Sequence, residues 1–369
     1  MNPGGAAQFM AQALRLAERG RYTTFPNPRV GCVIVRDGAV VGRGWHERAG
    51  QAHAEIMALR DAGERGRDAD LFVTLEPCSH HGRTPPCADA LLAAGLRRVC
   101  VAMQDPNPLV AGRGIERLRA AGIDVEVGVL EAAARELNRG FVSRMSRGRP
   151  FVTLKLASSL DGRTAMASGE SQWITGVAAR ADVHRLRAEA GAVLTGVDTV
   201  LADDPQLNVR DAEGVTVSRP PDRIVLDTSA RVPQSARVWS GDDGARRFHV
   251  CGPNTRSITS SPSVARLDVA LGADGRIDLV AAMNQLGQNE INHVLVECGS
   301  VLAGALLEAG LVDELVCYLA PSLLGDAARG LARMPALERL DQRMELRFID
   351  VRSVGQDLRI TAIPLPRSA

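Results

Sequence analysis

The stretch TLEPCSHHGRTPPCADAL, residues 74–91, places two cysteines on either side of a polar and basic insertion. Upstream, HAEIMAL at residues 53–59 supplies a histidine and, two positions later, a glutamate. One imidazole and two thiolates form a ligand set that suits zinc. Three protein ligands leave the fourth tetrahedral position to water, which is typical of a catalytic zinc site. His53, Cys78 and Cys87 are therefore the candidate zinc ligands.

The local pattern predicts that two of these ligands lie at helix starts. His53 directly precedes AEIMAL, and Cys87 follows two prolines and opens ADALLAAG. Partial positive charge at a helix N-terminus favours a thiolate there. Glu55 lies outside the metal set, and we expect it to be a catalytic residue that moves protons to and from the bound water.

A His-x-Glu segment followed by Pro-Cys and a second cysteine is the pattern of zinc deaminases that act on nucleobases. In that pattern two residues separate the cysteines, whereas eight separate Cys78 and Cys87 here. Two other interpretations stay open at this point, a structural zinc with a fourth protein ligand and a chance spacing without metal. The fourth ligand would come from His80, His81 or Cys100. The other cysteines are expected to be small core residues: Cys32, Cys251, Cys298 and Cys317.

Length and composition limit the classes of protein to consider. A chain of 369 residues predicts two domains. A net charge of +1 and 3% aromatic residues argue against a nucleic-acid partner. No apolar run reaches the roughly 18 residues of a membrane span, and the N-terminus lacks the pattern of a signal peptide. Seven scattered cysteines indicate cytosolic thiols or metal ligands, so we expect a cytoplasmic protein. We also expect a homo-oligomer.

Strand and helix patterns alternate in both halves, which predicts α/β sheets with helices on their faces. The first third includes a hairpin turn at Asp37-Gly38 and a helix ending at Gly63. A basic, polar segment at 143–150 ends in Gly-Arg-Pro and is predicted to be a linker. The expected domains are residues 1–146 and 147–369. Within the second domain, residues 240–263 are predicted to be irregular, and no internal repeat relates the halves.

The segments HAE (53–55), EPCSHHGRTPPC (76–87), PNPRVGCVIV (26–35) and DPNPLVAGRG (105–114) give the chain a specific resemblance. They resemble the deaminase half of the bifunctional riboflavin-biosynthesis deaminase/reductase family, whose fold is cytidine-deaminase-like. The resemblance implies zinc ligands at His53, Cys78 and Cys87 and a proton shuttle at Glu55. It also implies substrate-binding positions at Asn27, His46, Asp105 and Asn107.

The resemblance continues through KLASSLDGRTA (155–165), GESQWIT (169–175) and residues 184–210 and 296–315. These segments are similar to the reductase half, whose fold resembles dihydrofolate reductase. The implied NADPH-contacting positions are Ala157, Trp173, Thr199, Asp203, Gly299, Ser300, Val301, Leu302, Ala303, Gly304 and Ala305. The implied substrate positions are Ser171, Arg187, Leu207, Arg210 and Glu297. Two arginines suit a phosphomonoester.

The residues alone also favour a nucleotide site in this half. HVLVECGSVLAGALLEAG, residues 293–310, predicts a strand, a turn with Gly299, and a helix whose free N–H groups can hold a phosphate. The chain has no G-x-G-x-x-G segment, so the ordinary Rossmann fingerprint is absent. Cys298 stands where the family can carry glycine, and we expect little effect.

Lys155 is the only lysine among 44 basic residues, and it lies in an apolar strand pattern. An exposed strand lysine would be the ordinary interpretation. A chain that otherwise uses arginine instead indicates a site that needs a compact ammonium with a tunable pKa. The resemblance agrees, because it implies a catalytic lysine here, near the ribose being reduced.

We therefore expect a bifunctional enzyme that uses Zn²⁺ and NADPH on a small phosphorylated pyrimidine, with no nucleic-acid or membrane partner. It would hydrolytically deaminate 2,5-diamino-6-(5-phosphoribosylamino)pyrimidin-4-one and then reduce the ribosyl group to ribityl phosphate. One alternative is a zinc nucleoside or tRNA-base deaminase with a non-catalytic second domain. Another is a deaminase-like binding module, against which the presence of Glu55 argues.

Overall fold

The computed structural model describes residues 3–79, 86–108, 110–210, 220–255 and 263–365. Within these ranges the chain forms two compact units, one that runs to Gly148 and one that begins at Arg149. The linker predicted at 143–150 is wrong over most of its length, because a helix occupies Arg139–Arg147 and ends at Gly148 in the left-handed conformation. Of the polar and basic residues that indicated a linker, Ser146 and Arg147 are exposed, Arg144 is half-buried and Ser143 is buried.

The first unit contains these elements in chain order: α1 (Pro3–Ala17), β1 (Gly31–Arg36), β2 (Ala39–Trp45), α2 (Ala54–Ala62), β3 (Asp70–Val73), α3 (Cys87–Ala93), β4 (Arg98–Val101), α4 (Arg113–Ala120), β5 (Asp124–Val127), α5 (Glu131–Leu137) and α6 (Arg139–Arg147). The predicted hairpin joins β1 to β2, with positive φ at Asp37 and Gly38. The predicted helix end at Gly63 is also found, as the C-cap of α2.

In the described part of this unit the strands form one sheet in the order β2-β1-β3-β4-β5. Alternate side chains of β1 face opposite layers, as a strand requires. Cys32 and Ile34 pack in the core that contains α2, α3 and α4. Val33 and Val35 pack against α1 in the core on the other face. The parallel strands β3 and β4 end at one edge of the sheet, and the loops that follow them carry Cys78, Asp105 and Asn107.

The second unit contains β6 (Phe151–Ser159), β7 (Arg163–Ala165), α7 (Val177–Ala190), β8 (Ala192–Gly196), α8 (Val197–Asp203), β9 (Asp222–Leu226), β10 (Arg247–Cys251), β11 (Val264–Asp268), α9 (Leu279–Gln288), β12 (His293–Glu297), α10 (Ser300–Glu308), β13 (Glu314–Ala320), β14 (Arg329–Gly330), β15 (Leu346–Val354) and β16 (Asp357–Pro364). Across the described ranges its main sheet has the order β11-β10-β9-β8-β12-β6-β13-β16-β15. The first seven strands in this order, β11 through β13, are all parallel. β16 then pairs antiparallel with β13, and β15 pairs antiparallel with β16.

The irregular segment predicted at 240–263 is partly wrong, because β10 lies inside it. This strand was missed because its sequence, RFHVC, contains two polar side chains that are buried in the structure. His249 pairs with Asp227 at 3.0 Å and Arg247 pairs with Asp243 at 2.9 Å. Buried polar groups are tolerated in a strand when such partners satisfy them. Residues 256–262 of the segment lie outside the described residues.

No helix in the described ranges is both long enough and apolar enough to cross a bilayer.

Candidate active sites

Three side chains that can bind a metal converge in the first unit. His53 is the N-cap residue of α2, and Cys87 is the first residue of α3, so both predicted helix starts are found. Cys78 lies in the loop after β3. The Nδ1 atom of His53 lies 3.2 Å from Sγ of Cys87 and 3.6 Å from Sγ of Cys78. The potential ligand atoms all lie within 4.8 Å of one another.

These distances fit a tetrahedral zinc site. Zinc bonds of about 2.0 Å to nitrogen and about 2.3 Å to sulfur place the two ligand atoms roughly 3.5 Å apart. Hydrogen bonds from Cys87 and His53 lower the pKa of the Cys78 thiol although burial raises it, and the backbone N–H of Cys87 donates to Cys78 at 3.3 Å. The pKa of the Cys87 thiol is instead raised, by its hydrogen bond to Cys78 and by burial. The ligand set therefore has the spacing that zinc needs, and Cys78 has thiolate character.

Glu55 lies beside this cluster in the first turn of α2, and its carboxyl group is buried. Burial raises its pKa to about 7, although His53 lowers it. Its Oε2 atom has no hydrogen-bond partner within the described residues. A buried carboxylate oxygen without a partner is costly unless a ligand or water completes it. This oxygen is therefore available to a group that binds at the metal.

The interpretation as a structural zinc depends on a fourth protein ligand. His80 and His81 lie outside the described residues. Cys100 is not part of the ligand cluster found in the described chain. It lies on β4, within the core that contains α1, and its thiol lies 3.7 Å from Glu126. Cys100 is therefore not the fourth ligand.

Two of the predicted substrate residues lie together next to His53. Asn27 Nδ2 donates to Nε2 of His46 at 3.1 Å, and Nδ1 of His46 donates to the Ala52 carbonyl at 3.2 Å, which fixes one tautomer of the neutral ring. The rings of His46 and His53 meet edge to face with centroids 5.4 Å apart. Burial lowers the pKa of His46, with an opposing contribution from the Ala52 carbonyl.

The other two predicted residues, Asp105 and Asn107, follow β4 and are joined by a hydrogen bond. The Asp105 carboxylate accepts the backbone N–H of Asn107 at 2.8 Å. The backbone N–H of Asp105 donates in turn to Glu76 at 3.1 Å. Sequence reasoning missed Glu76, which stands two residues before Cys78 in the quoted stretch.

In the second unit, Lys155 on β6 is a register neighbour of Glu297 on β12. Arg187 on α7 completes the group, with Nε 2.5 Å from Oε1 of Glu297 and Nη2 3.0 Å from Oε2. Burial lowers the pKa of Lys155, the charge of Glu297 raises it, and Arg187 lowers it further. The structure thus brings together three predicted site residues, the basic Lys155 and Arg187 and the acidic Glu297.

The segment that contains Leu207 and Arg210 is attached to α7. Nη1 of Arg187 donates to the Asn208 carbonyl at 2.9 Å, and Nδ1 of His184 accepts the backbone N–H of Arg210 at 3.2 Å. Leu207 is buried with positive φ. Sequence reasoning missed His184 and Asn208. Their only signal is that His184 and Arg187 are three residues apart and therefore share one face of α7.

The N-terminus of α10 lies at the end of β12, as the strand–turn–helix pattern predicts. Gly299 is the N-cap residue, and a Cβ added there would meet nothing within 4 Å. Of the seven positions from Gly299 to Ala305, Ala303 and Gly304 are buried inside the unit. A Cβ on Gly304 would lie 1.9 Å from the Arg333 carbonyl, so this glycine allows close packing.

The remaining cofactor and substrate positions lie on β6, on α8 and in the segment between β7 and α7. Ala157 shares a face of β6 with Lys155, two residues away. Trp173 is exposed, and the Arg180 guanidinium lies 4.6 Å from its ring centroid. Asp203, at the end of α8, accepts from Gln172 at 3.5 Å. Thr199 is also on α8, and Ser171 is half-buried.

Both halves match known families. Residues 5–103 match the cytidine and deoxycytidylate deaminase zinc-binding region, and residues 150–360 match the RibD C-terminal domain. The riboflavin biosynthesis protein RibD of Escherichia coli (strain K12) is 53% identical over 359 residues, with 95% of this chain and 97% of that protein covered. The predicted fold class is confirmed by these matches.

Solved structures agree over the full chain. Acinetobacter baumannii RibD, form 1, has a TM-score of 0.92 at 46% identity, covering 99% of this chain and 100% of that one. A Thermotoga maritima diaminohydroxyphosphoribosylaminopyrimidine deaminase/5-amino-6-(5-phosphoribosylamino)uracil reductase has a TM-score of 0.85 at 34% identity, covering 99% and 100%. With a zinc-compatible deaminase site followed by a reductase domain, and with this similarity from end to end, the chain belongs to the RibD family of riboflavin biosynthesis proteins.

Proposed function

We propose that this chain catalyses two reactions on one pyrimidine, each in its own unit. The first is hydrolytic deamination of 2,5-diamino-6-(5-phosphoribosylamino)pyrimidin-4-one. The second is NADPH-dependent reduction of the ribosyl group of the product to ribityl phosphate. The observation that carries the proposal is that one chain combines the His53–Cys78–Cys87 cluster beside Glu55 with the Lys155–Glu297–Arg187 cluster. We assign the deaminase to residues 1–146 and the reductase to residues 147–369.

In the deaminase, His53, Cys78 and Cys87 would hold the zinc, which when bound activates water as a Lewis acid. The reaction replaces a ring C–NH₂ by C=O, consumes one water and releases one ammonia. Glu55 removes a proton from the water with its free Oε2 and delivers it to the leaving nitrogen. This carboxylate is suited to the role because it is buried beside the ligands and does not belong to the ligand set.

The pocket residues would orient the ring. His46 is fixed as a neutral imidazole by Ala52 and Asn27, so the pair presents a defined pattern of donors and acceptors next to His53. Asp105 and Asn107 are fixed to each other by a hydrogen bond at the carboxyl end of the sheet. Polar groups held in this way bind a substrate without first having to be ordered.

In the reductase, NADPH supplies the hydride when it is bound. The C1′–O4′ bond of the ribose breaks as C1′ becomes a CH₂ group, and Lys155 contacts O4′ and donates the proton that it takes up. Glu297 holds the ammonium of Lys155 on one side and a sugar hydroxyl on the other. This arrangement is supported by the register of β6 and β12, which makes the two residues neighbours.

Arg187 and Arg210 would bind the phosphate end of the substrate. Three N–H groups of Arg187 bond to Glu297 and Asn208, so among the described residues two of its five are left for a ligand. Arg210 is exposed. We assign Ser171 and Leu207 to the same substrate site. The proposed NADPH contacts are Ala157, Trp173, Thr199, Asp203, Gly299, Ser300, Val301, Leu302, Ala303, Gly304 and Ala305.

A zinc nucleoside or tRNA-base deaminase with an inert second domain is the less favoured function. Against it stand the match of residues 150–360 to the RibD C-terminal domain and the charged cluster of Lys155, Glu297 and Arg187. We further propose a cytoplasmic homo-oligomer that binds no nucleic acid. The seven unpaired cysteines suit a reducing compartment, and the edge strand β15 exposes Phe348, Ile349 and Val351. Sedimentation measurements give the oligomeric state.

The function is tested by incubating the protein with zinc, the diaminopyrimidine substrate and NADPH. Ammonia release and loss of NADPH absorbance are followed separately. We expect ammonia without NADPH present, and NADPH oxidation only after deamination has supplied the uracil product. NADPH oxidation that is absent even when the deaminated product is added would rule out the second activity.

A further inference from the structure

Glu76 is a buried carboxylate that the proposed reactions do not use. Within the described chain, four backbone N–H groups donate to its two oxygens. Gly114 and Ile115 donate to Oε1 at 2.8 and 3.4 Å, and Asp105 and Gly112 donate to Oε2 at 3.1 and 2.9 Å. A carboxylate can accept about four hydrogen bonds, so this set saturates it.

Two of the donors, Asp105 and Gly112, belong to the segment between β4 and α4, which also carries Asn107, and the other two, Gly114 and Ile115, lie in the first turn of α4. Asp105 lies at the start of this segment, and Gly112 is the N-cap residue of α4. The Glu76 carboxylate therefore joins both ends of the segment at one point. Negative charge at the first turn of α4 is also favourable to the helix dipole.

The same residue is tied to the metal cluster through the chain. Glu76 stands two residues before Cys78, and its own N–H donates to the Met103 carbonyl at 3.0 Å. The following residue, Pro77, packs directly against α4, since a Cβ on Gly114 would lie 2.0 Å from its carbonyl oxygen. These contacts thus fix the stretch with Cys78 relative to the segment with Asp105 and Asn107.

We propose that Glu76 is a positioning residue of the deaminase, which fixes Asp105 and Asn107 at a set distance from the zinc ligands. It acts on substrate binding through that segment and does not touch the substrate. The inference rests on the proposed function in one respect, namely that Asp105 and Asn107 contact the pyrimidine.

Glu76→Gln tests this because the amide keeps the size but changes the hydrogen bonding. A glutamine has one acceptor oxygen, and its NH₂ group would face two of the four backbone N–H donors. We expect the KM of deamination to rise about tenfold or more, with kcat changed less and zinc content kept. NADPH oxidation should be unchanged when the deaminated product is added directly. Glu116→Gln, an exposed glutamate of α4, is the matched control and should leave KM unchanged.

A double-mutant cycle with Asn107→Ala tests the positioning role of Glu76 separately from the proposed contact of Asp105 and Asn107 with the pyrimidine. If Glu76 acts through the segment, the double variant should have a KM within about twofold of the worse single variant. Asp105→Ala is tested as a second single variant. A wild-type KM in both Asn107→Ala and Asp105→Ala would contradict the proposed pocket. A wild-type KM in Glu76→Gln, or KM increases that multiply in the double variant, would overturn the role of Glu76.

Glu76→Asp provides a second test of the positioning role if the glutamine variant fails to fold or loses zinc. Its carboxylate is one methylene shorter and cannot reach all four donors. We expect an intermediate KM together with faster hydrogen exchange at the amides of Gly112 and Gly114. A folded, zinc-loaded Glu76→Asp protein with wild-type KM and wild-type exchange would refute the proposal.

Discussion

Arg187 and Glu297 form a two-point ion pair across the second unit, with N···O distances of 2.5 and 3.0 Å, and each side chain is 13% exposed. The pair connects α7 to the end of β12 beside Lys155. Although burial alone would raise it, the pKa of Glu297 is lowered because Arg187 and Lys155 stabilise its charged form. Arg187 therefore has a structural task in addition to the contact with substrate that we propose.

The first prediction concerns the stability of this pair. Arg187→Ala leaves Glu297 buried without its partner, so we expect the free energy of unfolding of the second unit to fall by about 3–5 kcal/mol. The double variant Arg187→Met with Glu297→Met should recover much of that loss but no reductase activity. Denaturant unfolding measures both. Arg343→Ala, which breaks an exposed pair with Glu345, is the control and should cost at most about 1 kcal/mol.

The second prediction concerns the chemistry of Lys155. Lys155→Arg keeps the positive charge but replaces a compact ammonium by a planar fork. We expect it to impair NADPH oxidation nearly as much as Lys155→Ala, by about 10²-fold or more, the scale of a lost acid–base group. Ammonia release should be unchanged in both variants. NADPH oxidation at the wild-type rate in Lys155→Arg would show that any cation serves at this position.

The third prediction follows from the lowered pKa of Lys155. At pH values between this lowered pKa and the unfolded value of about 10.4, the Lys155 amine is protonated more in the unfolded chain than in the folded chain. Stability contributed at this site therefore rises with pH across the window and falls as pH decreases through it. We expect the free energy of unfolding of the wild type to increase relative to Lys155→Met from pH 7 to pH 10. Parallel curves for the two proteins would contradict the assignment.

The fourth prediction separates Glu55 from the metal ligands. Glu55→Gln should retain about one zinc per chain, measured by elemental analysis, while deamination falls by about 10²-fold or more. The reason is that the side chain stands beside the cluster without belonging to it. Glu64→Gln, an exposed glutamate in the turn after α2, is the control. Loss of zinc in Glu55→Gln, with activity restored on adding metal, would assign Glu55 to the ligand set.

The fifth prediction uses the open space at Gly299. An alanine fits there without a clash in the protein and without positive φ, so Gly299→Ala should leave the melting temperature unchanged. The methyl group would instead obstruct a phosphate approaching the N-terminus of α10. We expect the KM for NADPH to rise about tenfold, equivalent to roughly 1.4 kcal/mol. Gly66→Ala in the first unit, where the Cβ has only an ordinary contact, should change neither quantity.

The sequence predicted those site features that depend on residue type and spacing. His53, Cys78 and Cys87 were identifiable because one imidazole and two thiols, two of the three at helix starts, form a ligand set typical of zinc. Lys155 stood out because it is the only lysine in the chain, and its catalytic role stays a prediction. The strand–turn–helix around Gly299 followed from hydrophobic periodicity. These signals are local, and so they survive without knowledge of the tertiary structure.

The contacts that were missed depend on partners distant in sequence. Glu76 bonds to backbone N–H groups 29 to 39 residues away, and every residue except proline carries such a group. His184 likewise bonds to the backbone of Arg210. β10 was missed because Arg247 and His249 are polar, and the bonds to Asp243 and Asp227 that allow their burial cannot be read from periodicity. A tertiary arrangement has to be known before such roles can be assigned.

The pairing of β6 with β12 has a consequence for the kinds of mutation that the reductase tolerates. Lys155 faces Glu297 only because the two strands pair in one register, and successive side chains of a strand point to opposite faces. Deleting one residue of β6 ahead of Lys155 would turn the lysine to the reverse face while every side chain kept its identity. This strand should therefore accept conservative replacements at its apolar positions but no change of length, and natural variation there should consist of substitutions without insertions or deletions.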